Sequence, residues 1–500
     1  MSTHVTTRKL ALLMTALAVV PLAASCAQES ASPTEAPTTA VSATTDSSTP
    51  TTTPQAQPNL DSDMNFGGYR FRIVTNEDTS PDGQDWVPRD IFAEEENADP
   101  INDAVYRRNR TLEERYGFIL EQVKKEDQSD FVKKSIQSGL NDFDVIEAGM
   151  GSFITDGLLM DLYDLPDIDF EQPWWNQSAN AQLSIANRLF TTDGGAMQLI
   201  NMDASAAILF NKGLLQGYLF TEDPYELVNS GKWTMDKFGE MIRAGTRDID
   251  GNQIMNYQTD SYGLIFQRDT AISLLHNSGE TIAAKDSDDL PYVNVGSERS
   301  ILALEKAFDI MYDHKTAFNM HTLEGLETGI YPESEAMFEG GRGLFMWIRF
   351  RIVQNLRNMD TDFGILPIPK LDEKQENYYS TVNVITGKNI SVPKTSDPDR
   401  TGFILEAICA ESLYTLTPAY YEITLKTKIA RDDESQTMLD IIFDGMVFDI
   451  GAVYNWGGFH ESLIYGVMSD NRRIISNLDK AKTAMQRQVD AMVNKILALE

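Results

Sequence analysis

Flat aromatic rings beside planar hydrogen-bonding side chains can hold a polyhydroxylated solute. The ring covers C–H faces, and Asp, Glu, Asn or Arg bond the hydroxyls. This chain places such groups at the ends of apolar runs. Asn76 closes the alternating run 69–75, and Glu147 and Ser152 bound the loop after the apolar run 143–146. Trp347 and Arg349 end the run Phe345-Met346-Trp347-Ile348-Arg349, where Arg349 can pair with a carboxylate of a ligand or with Asp203. Trp456 precedes Gly457-Gly458, which suggests an open loop. Trp174 and Trp175 are adjacent and point apart, so one of them packs and Trp175 is the contact candidate. Trp86 and Trp233 read as structural.

Catalytic patterns are absent. The histidines (4, 276, 314, 321 and 460) are dispersed, and no H-E-x-x-H, G-x-S-x-G or P-loop pattern occurs. Carboxylates are plentiful, yet no local pair marks a glycoside hydrolase. Asp248-Ile249-Asp250-Gly251-Asn252 has part of a calcium loop but lacks its full spacing, so a turn is expected and no metal or cofactor is assigned. Cys-type metal sites are excluded, because only Cys26 and Cys409 exist. Cys409 lies in an apolar helical run and reads as a small buried hydrophobe.

The elements that would position these groups alternate. Strands are predicted at 69–75, 118–123 and 143–146, with helices at 102–116, 131–140 and 153–160. This order implies a mostly parallel sheet with crossover helices, whose carboxyl rim carries Asn76 and the 147–152 loop. Further strands are predicted at 206–210 and 363–370. A helix from Trp233-Thr234 to 244 takes Thr234 as N-cap, and an amphipathic helix fills 477–499.

The N-terminus sets the compartment. Arg8 and Lys9 precede the apolar run 10–20, Pro21, and then Ala23-Ala24-Ser25-Cys26. This reads as a signal peptide over 1–25. Residues 26–62 are rich in Ser, Thr, Pro and Ala, a composition that cannot offset its ordering entropy and predicts a disordered tether. The remaining residues, about 440, exceed the size of a single core, so two lobes are the default. Net charge is −33, and removing Arg8 and Lys9 with the leader leaves −35. Such a surface repels nucleic acid and anionic lipid headgroups.

The small residues before Cys26 resemble a bacterial lipobox, with Leu22 one place further from Cys26 than that motif prefers. The body resembles the extracellular solute-binding proteins of ABC importers, in the maltose-binding-type group (family 1). The likeness is carried in order by Gly157-Leu158-Leu159-Met160-Asp161-Leu162, Pro173-Trp174-Trp175, Ile208-Leu209-Phe210-Asn211-Lys212, Gly231-Lys232-Trp233-Thr234, Phe338-Glu339-Gly340-Gly341-Arg342-Gly343 and Gly364-Ile365-Leu366-Pro367.

This resemblance implies a two-lobed α/β periplasmic-binding-protein-like (type II) fold with a hinge. It places the N-lobe at 66–205 and 386–430 and the C-lobe at 206–385 and 431–500, with crossings near 205–207 and 383–386. It adds Asp203 and Asn383 to the ligand-binding candidates Asn76, Glu147, Ser152, Trp175, Trp347, Arg349 and Trp456. It implies lipidation at Cys26, anchorage outside the cytoplasmic membrane, separate ABC permease subunits as partners, a sugar-like small-molecule ligand and a monomer. A secreted glycan-binding or sensory protein, or a hydrolase, is the alternative.

Overall fold

The computed structural model describes residues 55–77, 86, 88–149, 153–326, 329–426 and 433–499. Ser152 and Cys26 lie outside the described residues. Two main sheets organise the chain from residue 56 onward. The first runs in the order Lys388–Ser391, Val145–Gly149, Tyr69–Asn76, Phe118–Lys125. Tyr69–Asn76 pairs in parallel with both Phe118–Lys125 and Val145–Gly149, as the strand-helix-strand order predicts. Only Lys388–Ser391, which enters from far along the chain, is antiparallel.

Local chemistry explains the crossovers. Asp99 caps the helix Pro100–Tyr116, its carboxylate accepting from Ile101 N (3.0 Å) and Asn102 N (2.9 Å). Pro100 fits the first turn, where its missing N–H costs nothing. Gly117 ends the helix at φ 63°, a left-handed position that favours glycine. The face bearing Ile101, Val105, Leu112 and Tyr116 is buried.

The helix Gln128–Gln137 starts three residues earlier than the apolar spacing predicts, because Asp127 caps it through Asp130 N. The strand expected at 143–146 forms two residues later, at Val145–Gly149.

The second sheet runs Phe363–Leu366, Ala206–Asn211, Gly343–Arg349, Tyr262–Phe266, Ala317–Asn319. Its last three strands are mutually parallel, so their carboxyl ends share one rim. The strand expected to reach Lys370 stops at Leu366, before Pro367 and Pro369 remove ladder donors. Thr234 caps the helix Met235–Gly245 as expected, through Lys237 N at 3.3 Å.

The helix expected at 153–160 does not form. A single 3-10 turn, Ile154–Asp156, ends at Gly157 with φ 67°. Beyond it Met160 N donates to Val392 O at 2.8 Å, so the chain is drawn into bridging the first sheet instead.

Cys409 is fully buried in the long helix Pro398–Lys426, among Phe403, Leu405 and Ile408 of the first sheet's core. The terminal helix is Leu478–Leu497, with Leu478, Met485, Val489, Met492 and Ile496 buried along one stripe. Apolar packing is continuous between the sheets: Val74 and Ile146 of the first share a cluster with Ile208, Leu264 and Trp347 of the second.

Candidate functional site

The segments joining the sheets lie side by side. Ser205 bridges Val382, and Asn383 N donates to Ala204 O at 3.1 Å. Ser205 leads into the second sheet and Asn383 leads back to the first. Asn383 then ties itself into the second sheet's carboxyl rim. Its amide Nδ2 donates to Asp269 Oδ2 at 2.8 Å, while its Oδ1 accepts from Ile385 N and Thr386 N.

Asp269 is the hub of that rim. It follows Tyr262–Phe266 and receives Nη2 of Arg349, which ends the parallel neighbour Gly343–Arg349. Burial works against the Asp269 charge, but the Arg349 guanidinium prevails and holds the carboxyl below its ordinary range. His460 and His321 are buried nearby. Burial lowers the pKa of both, against the pull of Asp269 on each and of Glu324 on His321.

The first sheet's rim reaches this hub through Trp86, from the segment after Tyr69–Asn76. The Trp86 ring lies 5.7 Å from the guanidinium carbons of both Arg349 and Arg351. Arg351 in turn pairs with Asp203 at 3.1 Å. Asp203 also receives Arg89 Nη2 at 3.0 Å and Tyr420 OH at 3.0 Å. Asp203, expected to face a ligand, is thus held by three of the protein's own side chains.

The other expected contacts divide. Asn76 and Glu147 stand at the same rim, on neighbouring parallel strands. Asn76 Oδ1 and Glu147 Oε2 are buried without a hydrogen-bond partner among the described residues. Trp347, 1% exposed, sits opposite Ile208, and its indole Nε1 is likewise buried and unpartnered. Trp175 is elsewhere: its Nε1 donates to Glu406 Oε2 at 2.7 Å, and its ring packs on Phe170 in the first sheet's core. Trp456 stacks on Tyr454 at 5.3 Å and is 4% exposed, so the Gly457-Gly458 pair makes a tight turn that buries the ring. Trp233 is core, as expected, with Nε1 bonded to Pro367 O at 2.8 Å.

Sequence reasoning missed Gln267, Asp269 and His321. Gln267 Nε2, Asp269 Oδ1 and His321 Nε2 are also buried and unpartnered. The signal was present: Gln267-Arg268-Asp269 follows an apolar strand just as Asn76 does. The Asp248 loop is a turn. Asp248 accepts from Gly251 N and Gln253 N, both at 2.7 Å, and Asp260 accepts from Ile249 N and Asn256 N. The carboxylates of Asp248, Asp250 and Asp260 approach within 4.8 Å, an arrangement these turn bonds explain.

No protein-family model matches the chain, and no curated protein does. Solved structures match its fold. A sugar transporter of Rhizobium etli in an open conformation aligns with a TM-score of 0.54 at 13% identity, over 87% of this chain and 100% of that one. A cyclo/maltodextrin-binding protein complexed with maltotetraose aligns at 0.51 and 12% identity, over 86% and 98%. An ABC substrate-binding protein of Listeria monocytogenes in complex with cycloalternan aligns at 0.51 and 12%, over 85% and 99%. The architecture is the periplasmic-binding-protein-like α/β fold.

Proposed function

We propose that this chain is the extracytoplasmic substrate-binding component of an ABC importer, and that it captures a carbohydrate between two lobes without altering it. One observation carries the reading. The carboxyl rims of the two sheets bury polar atoms that lack a partner, among them Asn76 Oδ1, Glu147 Oε2, Gln267 Nε2, Asp269 Oδ1, His321 Nε2 and Trp347 Nε1. Leaving such a group unsatisfied costs about 1–3 kcal/mol. These atoms lie where α/β sheets bind ligands. A polyhydroxylated solute offers both donors and acceptors to match them. The structural neighbours, which include a maltotetraose complex and a cycloalternan complex, support that ligand class.

On this reading the lobes are 66–205 with 386–430, and 206–385 with 431–500. They part to admit solute, since the rim residues Asp203, Trp347, Arg349 and Asn383 are all 5% exposed or less. Closure around the solute presents a joint surface to separate permease subunits. Among the described residues no helix is long and apolar enough to cross a membrane. Anchorage falls to lipid on Cys26, at the outer face of the cytoplasmic membrane.

Calorimetry against a panel of neutral oligosaccharides tests the capture. We expect one-site binding of at least one sugar, recovered unchanged, and loss of at least tenfold in affinity for Asp269→Asn. Sugar hydrolysis would overturn the reading in favour of an enzyme, and failure of every sugar to bind would reject it. For the anchor, cells fed labelled palmitate should label the native chain and not Cys26→Ser, and equal labelling of both would refute lipidation.

A further inference from the structure

The unpartnered atoms are unevenly distributed. On the second sheet's rim they are mostly donors or can become donors: Gln267 Nε2, Trp347 Nε1 and His321 Nε2. On the first sheet's rim acceptors prevail, with Asn389 Nδ2, opposite Ala148, an unpartnered donor beside them. Glu147 Oε2, Asp90 Oδ1 and Gln198 Oε1 are unpartnered in side chains 3% exposed or less. Neighbours fix these roles. Gln198 Nε2 already donates to Glu147 Oε1 at 2.9 Å, so the amide oxygen is the end left over. Asp90 Oδ2 takes Leu199 N, the next residue along. The two carboxyls and the amide therefore form one group.

The surrounding cations direct most of their donors elsewhere. Arg108 spends its guanidinium on the carbonyls of Asp90 and Ile91, on Ser412 and on Asn109. Arg89 gives Nη2 to Asp203 and Nη1 to Gln354, and its Nε is unpartnered. Lys388 lies near Glu147 and favours its charged form, but burial and the neighbouring Asp90 outweigh it, so the Glu147 carboxyl holds its proton well above the ordinary range. Burial raises Asp90 as well, against Arg108 and Arg89. A neutral hydroxyl brings one donor to such a place. A protonated amine brings three and a matching charge.

We propose that Glu147, Asp90 and Gln198 receive an ammonium group of the solute, and that the captured carbohydrate is an amino sugar. This rests on the carbohydrate-capture reading above and narrows it. Glu147 gives its proton to solvent as the ammonium arrives, so binding releases a proton and tightens as pH rises, until the amine itself deprotonates.

The test is calorimetry at pH 6.5 with the β-1,4-linked glucosamine disaccharide and with cellobiose, which carries hydroxyls in place of the amines. Potassium chloride and ammonium chloride serve as free-cation controls. The amino sugar is expected to bind at least tenfold more tightly, with a heat that varies with the ionisation enthalpy of the buffer. In Glu147→Gln, an isostere of the protonated acid, the preference should fall below twofold, with an unchanged Tm showing that the fold persists. Asp90→Asn should weaken the preference in the same direction.

Equal binding of both disaccharides, or of any neutral sugar without preference for its amino analogue, overturns this proposal and leaves carbohydrate capture standing. A preference retained in Glu147→Gln, or stabilisation reproduced by the simple salts, overturns it too. Failure of every saccharide to bind sinks both readings.

Discussion

Asp269 and Glu147 are both buried carboxyls at sheet rims, yet they are held in opposite states. Asp269 has Arg349 against it and stays charged; burial, with Asp90 beside it, keeps the proton on Glu147 against Lys388. Burial opposes the charge on both, and the direct guanidinium contact is what keeps Asp269 ionised. Glu406 extends the point to a structural site. Burial lifts its carboxyl to about 7, above the bond from Trp175 that pulls it down. The folded state therefore binds the proton more tightly than the unfolded chain, whose carboxyl titrates near 4.5. Stability is lost as pH rises through the window between those values, by on the order of 2 kcal/mol. Glu406→Gln mimics the protonated acid and keeps an oxygen for Trp175. Urea titrations should show the variant equal to the native chain at pH 4.5 and more stable by about 2 kcal/mol at pH 8. Equal stability at both values would show that Glu406 is solvated. The same bond explains why Trp175 was misjudged as a ligand contact: a Trp-Trp pair in sequence does not reveal a carboxyl acceptor more than 200 residues away.

At the scale of elements, punctuation residues were the most legible. Asp99, Pro100 and Gly117 mark both ends of their helix, and the alternation in 69–75 marks the first strand. Asp99→Ala should cost about 1 kcal/mol, because two first-turn amides lose their acceptor. The shift in denaturant midpoint at constant m-value measures it, and no shift would mean that water or another side chain caps the helix equally well. What failed was tertiary. Residues 153–160 carry apolar spacing that reads as helix, but Gly157 and the hydrogen bond to Val392 draw them into a bridge. Trp456 reads as an open-loop ring because two glycines follow it. Those glycines turn the chain tightly enough to stack the indole on Tyr454. Short-range pattern carries the element type, whereas the direction a side chain faces depends on partners distant in sequence.

The whole molecule sets two demands against each other. Asp203 with Arg89, Arg351 and Tyr420, and the Trp86 ring over Arg349 and Arg351, hold the two rims together. The partnerless polar atoms buried at the rims favour parting. A solute that satisfies those atoms binds the shut arrangement better than the parted one, and only such a difference can move the balance. At a hundred times Kd it contributes about 2.7 kcal/mol to the bound state. Spin labels at Leu140→Cys, beyond the helix Gln128–Gln137, and at Leu219→Cys, beyond Lys212–Gly217, report the separation of the sheets. Both positions are exposed, and Cys409, at 0% exposure, is shielded from labelling in a Cys26→Ser background. The free chain should show a broad or two-peaked distance distribution, collapsing to the shorter peak on saturation with the bound sugar. An unchanged distribution under saturation would mean that the rims stay joined throughout and that solute enters by a local route. In that case the ionic contacts at Asp203 outweigh the strain of the unsatisfied atoms, and the segments at Ser205 and Asn383 serve as rigid struts and not as a hinge.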